Sequence, residues 1–130
     1  MTFLFDEQLP LAIVTALAET EQAVRHVISE GWAGRTDEEI IAEAGANGWY
    51  LVTADNKILQ RPQERAAIVR CRVGAFFFTG KTVRNRFQWL KLIVDRFEDM
   101  QQFAQANAIP FCAQSPDRGA IKLIKTKNTR

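Results

Sequence analysis

Three aspartates in the first half of the chain stand where a fold would place reactive carboxylates. Asp6 directly follows the apolar run Phe3-Leu4-Phe5, Asp55 follows the strand-like stretch 49–53, and Asp37 opens a helical stretch after a loop. Acids at strand ends and a helix start could converge at the carboxyl edge of a parallel sheet, where open sheets bind their ligands. Three converging carboxylates repel one another, and a cation makes such a group tolerable. Donors that are all oxygen favour Mg²⁺ or Mn²⁺. In phosphodiester hydrolysis such an ion orients and deprotonates a water and stabilises charge on the leaving oxygen, so no Ser or Cys nucleophile is needed. Each acid also has a structural role open to it. Asp37 and Glu38 suit the first turn of a helix, Asp55 suits the cap of a segment starting at Asn56, and Asp6 suits an Asx turn before Pro10. The case for chemistry rests on their joint placement.

The surrounding pattern supplies elements that would position them. Phe3-Leu4-Phe5 is a short aromatic-rich run of the buried-strand type, and Pro10 suits the first turn of a helix over 11–18. Residues 24–28 are β-branched and strand-like, with His26 expected to be structural, and 29–35 form a glycine-containing loop around Trp32. Thr36 with Glu39 three positions later is a capping box, which predicts a helix over 37–46 closed by Asn47-Gly48. Trp49-Tyr50-Leu51-Val52-Thr53 predicts a strand, Pro62 starts a short helix through Ile68, and 71–79 predicts a strand whose Phe76-Phe77-Phe78 run requires burial on both faces. Apolar residues at steps of three and four (Val83, Phe87, Leu90, Ile93/Val94, Phe97, Met100, Phe103/Ala104) predict a long helix over 82–106 with that stripe in the core. Strands at 109–113 and 120–125, separated by a turn at 115–119, close the chain. Strands alternating with helices indicate an α/β fold with a mostly parallel sheet and helices on both faces.

Composition bounds the reading. The chain has 130 residues, 47% hydrophobic and 25% charged, which suits one ordinary globular domain. Apolar runs are too short for a membrane span, and the amino terminus lacks the layout of a secretory signal, so a cytosolic location is expected. Cys71 and Cys112 have neither disulfide-framework nor metal-type spacing and are expected to be buried, reduced thiols. The net charge of +2 conceals an asymmetry: residues 1–60 carry ten acidic and three basic side chains, the remainder five and fourteen. The two halves either attract each other across one fold or mark a nucleic-acid role.

The order Phe3-Leu4-Phe5-Asp6-Glu7-Gln8-Leu9-Pro10, then Thr36-Asp37-Glu38-Glu39-Ile40, then Leu51-Val52-Thr53-Ala54-Asp55-Asn56 resembles the PIN-like nuclease superfamily. It is most similar to the small branch with an Asp-Glu-x-Leu-Pro opening, a middle Asp-Glu-Glu-Ile and a Thr-x-Asp strand end. The motifs lie within residues 1–58. The resemblance implies a three-layer αβα domain over 1–113, with 114–130 as a strand and basic tail on the same domain. It also implies Mg²⁺- or Mn²⁺-dependent ribonuclease activity, often as the VapC-type toxin of a toxin–antitoxin pair. By motif position Asp6, Asp37 and Asp55 take the metal-binding role, with Glu38 or Glu7 as an accessory acid. Where the family commonly has a basic residue and a further acid, this chain has Ala54 and Asn56-Lys57, and no late fourth acid is assigned, since Asp95, Glu98 and Asp99 lie on the long helix.

Two other readings compete. Asp6-Glu7, Asp55, Thr79 and Lys81 resemble the acceptor set of a response-regulator receiver, although Lys81 lies very close behind Thr79 and Asp37 has no role there. The third reading is a PIN-like binding module without catalysis. For an RNA substrate, Lys81, Arg84, Arg86 and Lys91 at the start of the long helix offer phosphate contacts, as do Lys122, Lys125, Lys127 and Arg130. A protein antitoxin, and possible pairing as a homodimer, would use exposed surface: Trp32 and the edge of the terminal strand are the candidates.

Overall fold

Alternate residues of the short central strands enter different cores, and this divides the molecule into layers. Phe3, Phe5, Val52, Phe76 and Phe78 lie in one apolar cluster, whereas Leu4, Leu51, Ala75 and Phe77 lie in the other. Such alternation follows from the two-residue period of a strand, with both faces covered by helices. The structure is a computed structural model and describes residues 1–80 and 83–124. Its elements are β1 (Phe3–Phe5), α1 (Leu11–Glu19), β2 (Val24–His26), α2 (Asp37–Asn47), β3 (Tyr50–Thr53), a 3-10 turn (Asn56–Gln60), α3 (Pro62–Arg70), β4 (Gly74–Phe78), α4 (Arg86–Ala106), β5 (Phe111–Ser115) and β6 (Lys122–Leu123).

The sheet order is β2-β1-β3-β4-β5-β6, parallel throughout except for β6, which pairs antiparallel with β5. Helices α1 and α4 contribute Ile13, Val14, Ile93, Phe97 and Met100 to one core, and α2 and α3 contribute Ile40, Ile41, Ala44, Ala67 and Ile68 to the other. The fold is thus the three-layer αβα arrangement expected. Its strand order reverses between β1 and β3, the topological switch point at which doubly wound sheets open a crevice. One close approach in the sheet needs glycine: a Cβ on Gly74 would lie 2.6 Å from the Tyr50 ring and 2.8 Å from that of Phe111.

The capping box forms as its residues imply. The Thr36 side chain accepts from the Glu39 N–H at 3.2 Å, and the Glu39 carboxylate accepts from the Thr36 N–H at 3.0 Å, while Gly48 ends α2 in the left-handed region. The long helix differs from expectation in start and in phase. It begins at Arg86 behind a second capping box, in which Asn85 and Gln88 exchange side-chain-to-backbone bonds of 2.8 Å each. Val83 precedes the helix, and Val83, Phe87 and Val94 are 84%, 72% and 51% exposed. Trp89 and Leu92 turn inward instead, because Trp89 packs edge-on against Phe78 with ring centroids 5.6 Å apart. From Ile93 to Ala104 the expected stripe and the buried face coincide except at the exposed Val94 and the half-buried Phe103. Strand β4 is shorter than expected at its start, since α3 runs on to Arg70 and Arg72 takes a left-handed turn conformation. Cys71 and Cys112 are free but only partly buried, and burial pushes the Cys112 thiol up to about 11. Among the described residues no helix is long and apolar enough to cross a membrane.

Candidate active site

Asp6 leaves the end of β1 with its carboxylate drawn inward. One oxygen accepts from the backbone N–H of Glu7 at 2.9 Å, and the other accepts from the Thr53 hydroxyl at 2.8 Å. The Thr53 hydroxyl sits at the end of β3 and also accepts from the Asp55 N–H at 3.0 Å. One buried side chain therefore ties together the two strand ends that flank the switch point. Asp55 lies two residues beyond, half-buried, and its Oδ1 accepts from the Lys57 N–H at 3.0 Å to cap the 3-10 turn. Asp37 is in the first turn of α2, where Arg61 Nη1 lies 3.2 Å from its Oδ2. The same Arg61 nitrogen lies 3.5 Å from Oε1 of Glu64, in the first turn of α3.

Electrostatics ties these acids into one group. Burial holds the Asp6 carboxyl above its usual range; the Thr53 and Glu7 hydrogen bonds oppose that shift, and the charges of Asp55 and Glu7 add to it. Asp37 is also raised, first by burial and then by the charges of Asp55 and Asp6, with Arg61 opposing and Glu64 adding. The charge of Asp55 thus reaches both Asp6 and Asp37, and Asp37 also feels Asp6 and Glu64. Glu7 and Glu38 are exposed.

The raised Asp6 carboxyl has a testable consequence for the metal-free protein. The folded state keeps its proton to higher pH than the unfolded chain does, so stability falls as pH rises from the ordinary carboxylate range through the raised folded value. Asp6→Asn removes that loss. Urea midpoints measured without divalent ions should therefore favour Asp6→Asn over wild type increasingly from acidic to neutral pH, and a constant difference would contradict this reading.

As the side chains stand, no group of three or more His, Cys, Asp or Glu among the described residues is arranged to hold an ion. The carboxylates have other partners: Asp37 pairs with Arg61, and Asp55 caps its own 3-10 turn. The donor chemistry nevertheless fits a hard cation. The acids are mutually repelling oxygen ligands, and the adjacent Asn56 Oδ1 is a buried oxygen with no hydrogen-bond partner.

Other candidates are engaged elsewhere. His26 Nε2 lies 2.7 Å from the Leu9 carbonyl, and Nδ1 accepts from the Ile28 N–H, so both ring nitrogens hold the 26–28 turn and β1–α1 loop together. Trp32 is half-buried and stacks on Trp49 with centroids 6.1 Å apart, and the Arg35 guanidinium lies over the Trp32 ring, 5.4 Å from its centroid. Arg84 pairs with Asp117, donates to the Thr79 carbonyl and lies 4.8 Å from the Trp89 ring, so it fastens the 115–119 turn. Arg86 and Lys91 are exposed on α4, and Lys122 on β6. Lys81, Lys125, Lys127 and Arg130 lie outside the described residues. Thr79, the receiver-like candidate, accepts a hydrogen bond from the Gln114 side chain.

Sequence reasoning missed Arg61, Glu64 and the linking role of Thr53. Only Thr53 left a signal, as the first residue of the Thr-x-Asp strand end. The order 2-1-3-4-5 is a common doubly wound order that receiver domains also have, so strand order by itself does not favour a nuclease. Comparison with known proteins does. Searches of curated proteins and of solved structures each returned no match. The family model described as a PIN-like domain matches residues 1–80, the stretch that carries Asp6, Asp37, Thr53, Asp55, Arg61 and Glu64. The chain therefore belongs to the PIN-like domain family, whose members are generally nucleases.

Proposed function

We propose that this protein is a cytosolic Mg²⁺- or Mn²⁺-dependent endoribonuclease, the toxin component of a toxin–antitoxin pair. The observation that carries the reading is the hydrogen-bonded link from Asp6 through the Thr53 hydroxyl to Asp55, which holds two acids at the strand ends flanking the switch point. Asp6, Asp37 and Asp55 would hold the ion, with Glu64 beside them. When bound, the ion supplies an activated water and stabilises charge on the leaving oxygen. The chain's own groups prepare the place. Thr53 and the Glu7 N–H fix the Asp6 carboxylate in one orientation. Glu7 and Glu38, exposed and next in sequence to Asp6 and Asp37, are the candidate acceptors for a proton leaving the site.

RNA brings phosphates that an acidic cleft alone would repel, so exposed Arg86, Lys91 and Lys122 are the groups to neutralise them. A partner protein has surface to use: Phe87, Leu90 and Val94 form an exposed apolar line on α4, and β6 is an exposed sheet edge. Calorimetry tests the metal claim. Wild-type protein should bind Mn²⁺ weakly, and Asp6→Asn should bind it at least about tenfold more weakly, since a ligand charge is lost. Equal binding by both would count against the site.

A further inference from the structure

Residues 55–64 form one short stretch that carries Asp55, Arg61 and Glu64, and it places a positive charge among the acids. Arg61 precedes Pro62 at the start of α3, and its Nη1 reaches both Asp37 on α2 and Glu64 on α3, at 3.2 and 3.5 Å. Helices α2 and α3 pack against each other, so this one guanidinium bridges their first turns. Its side chain is 48% exposed, and half-exposed ion pairs are weak enough to be exchanged. Asp37, one of the two carboxylates it engages, is the one that the charges of Asp55 and Asp6 reach.

Resting on the metal-dependent reading above, we propose that Arg61 is a resident counter-ion that holds Asp37 and Glu64 in the metal-free arrangement and must be displaced when a divalent cation loads. The site then has a built-in competitor. Metal affinity is set by the difference between the ion's attraction to the acids and that of the guanidinium. A monodentate contact shared between two carboxylates, instead of a bidentate fork on one, suits a cation that has to leave.

The test is calorimetric titration of the full chain with MnCl₂, comparing wild type, Arg61→Gln, Arg61→Lys and Asp6→Asn. Arg61→Gln should bind Mn²⁺ about threefold to tenfold more tightly than wild type, because one competing and repelling charge is gone. Arg61→Lys keeps the charge, but on a more strongly hydrated ammonium that competes less well for the carboxylates, and should fall between the two. If Arg61→Gln proves unfolded by circular dichroism, Arg61→Lys carries the test, and affinity equal to or weaker than wild type overturns the proposal. The proposal is equally overturned if Arg61→Gln is folded, less stable, and unchanged in Mn²⁺ affinity, since Arg61 is then only a staple between two helices. In that case weaker binding by Asp6→Asn leaves the metal reading standing. Absence of Mn²⁺ binding in all four proteins overturns both.

Discussion

Asp55→Ala should cleave single-stranded RNA at least about a hundredfold more slowly than wild type while keeping its fold. Metal ions contribute several kcal/mol of charge stabilisation in such transition states, and each 1.4 kcal/mol is about tenfold in rate. Asp55 lies just beyond β3, tied to the strand end by its N–H bond to Thr53, and its carboxylate caps a short 3-10 turn. Losing that cap costs about 1 kcal/mol, too little to unfold a domain. Activity and stability should therefore separate. Wild-type cleavage rates in a folded Asp55→Ala protein would remove Asp55 from the site.

The second large effect concerns the fold that holds the strand ends in place. Phe76, at the centre of β4, is fully buried, and its ring lies 5.3 to 6.3 Å from those of Phe3, Tyr50, Phe103 and Phe111. These partners come from β1, β3, α4 and β5, so truncation opens a cavity where four elements meet. Phe76→Ala should cost about 3–5 kcal/mol, a fall in midpoint temperature of roughly 10 °C or more for a domain of this size. A loss below about 1 kcal/mol would show that the aromatic cluster adapts around the gap. Phe77→Ala probes the opposite core and should spare these ring contacts.

Much of this arrangement was legible in local sequence. Strand ends at Asp6 and Asp55, the Thr36–Glu39 box that sets Asp37 at a helix start, and the double-faced Phe76-Phe77-Phe78 run are all short-range patterns. Their placement follows from strand pleat and helix capping alone. Arg61 and Glu64 were not legible, because what matters is that the first turn of α3 lies against the first turn of α2, a contact between residues 24 positions apart. The phase of α4 was lost for a related reason. Phe87, Leu90 and Val94 repeat as well as Trp89, Leu92 and Ile93 do, and the choice is made by Phe78 on a distant strand. The basic residues were read as a phosphate patch, yet Arg84 is committed to Asp117, whose position in a turn after β5 gave no such sign.

The central claim is that the acids at the switch point work through a divalent ion on RNA. The most direct measurement is cleavage of a labelled single-stranded RNA by the wild-type protein with Mn²⁺, followed by EDTA and then excess Mn²⁺. The account predicts cleavage that stops on chelation and returns when the ion is restored. Cleavage that continues in EDTA, or none with any divalent ion, would contradict it.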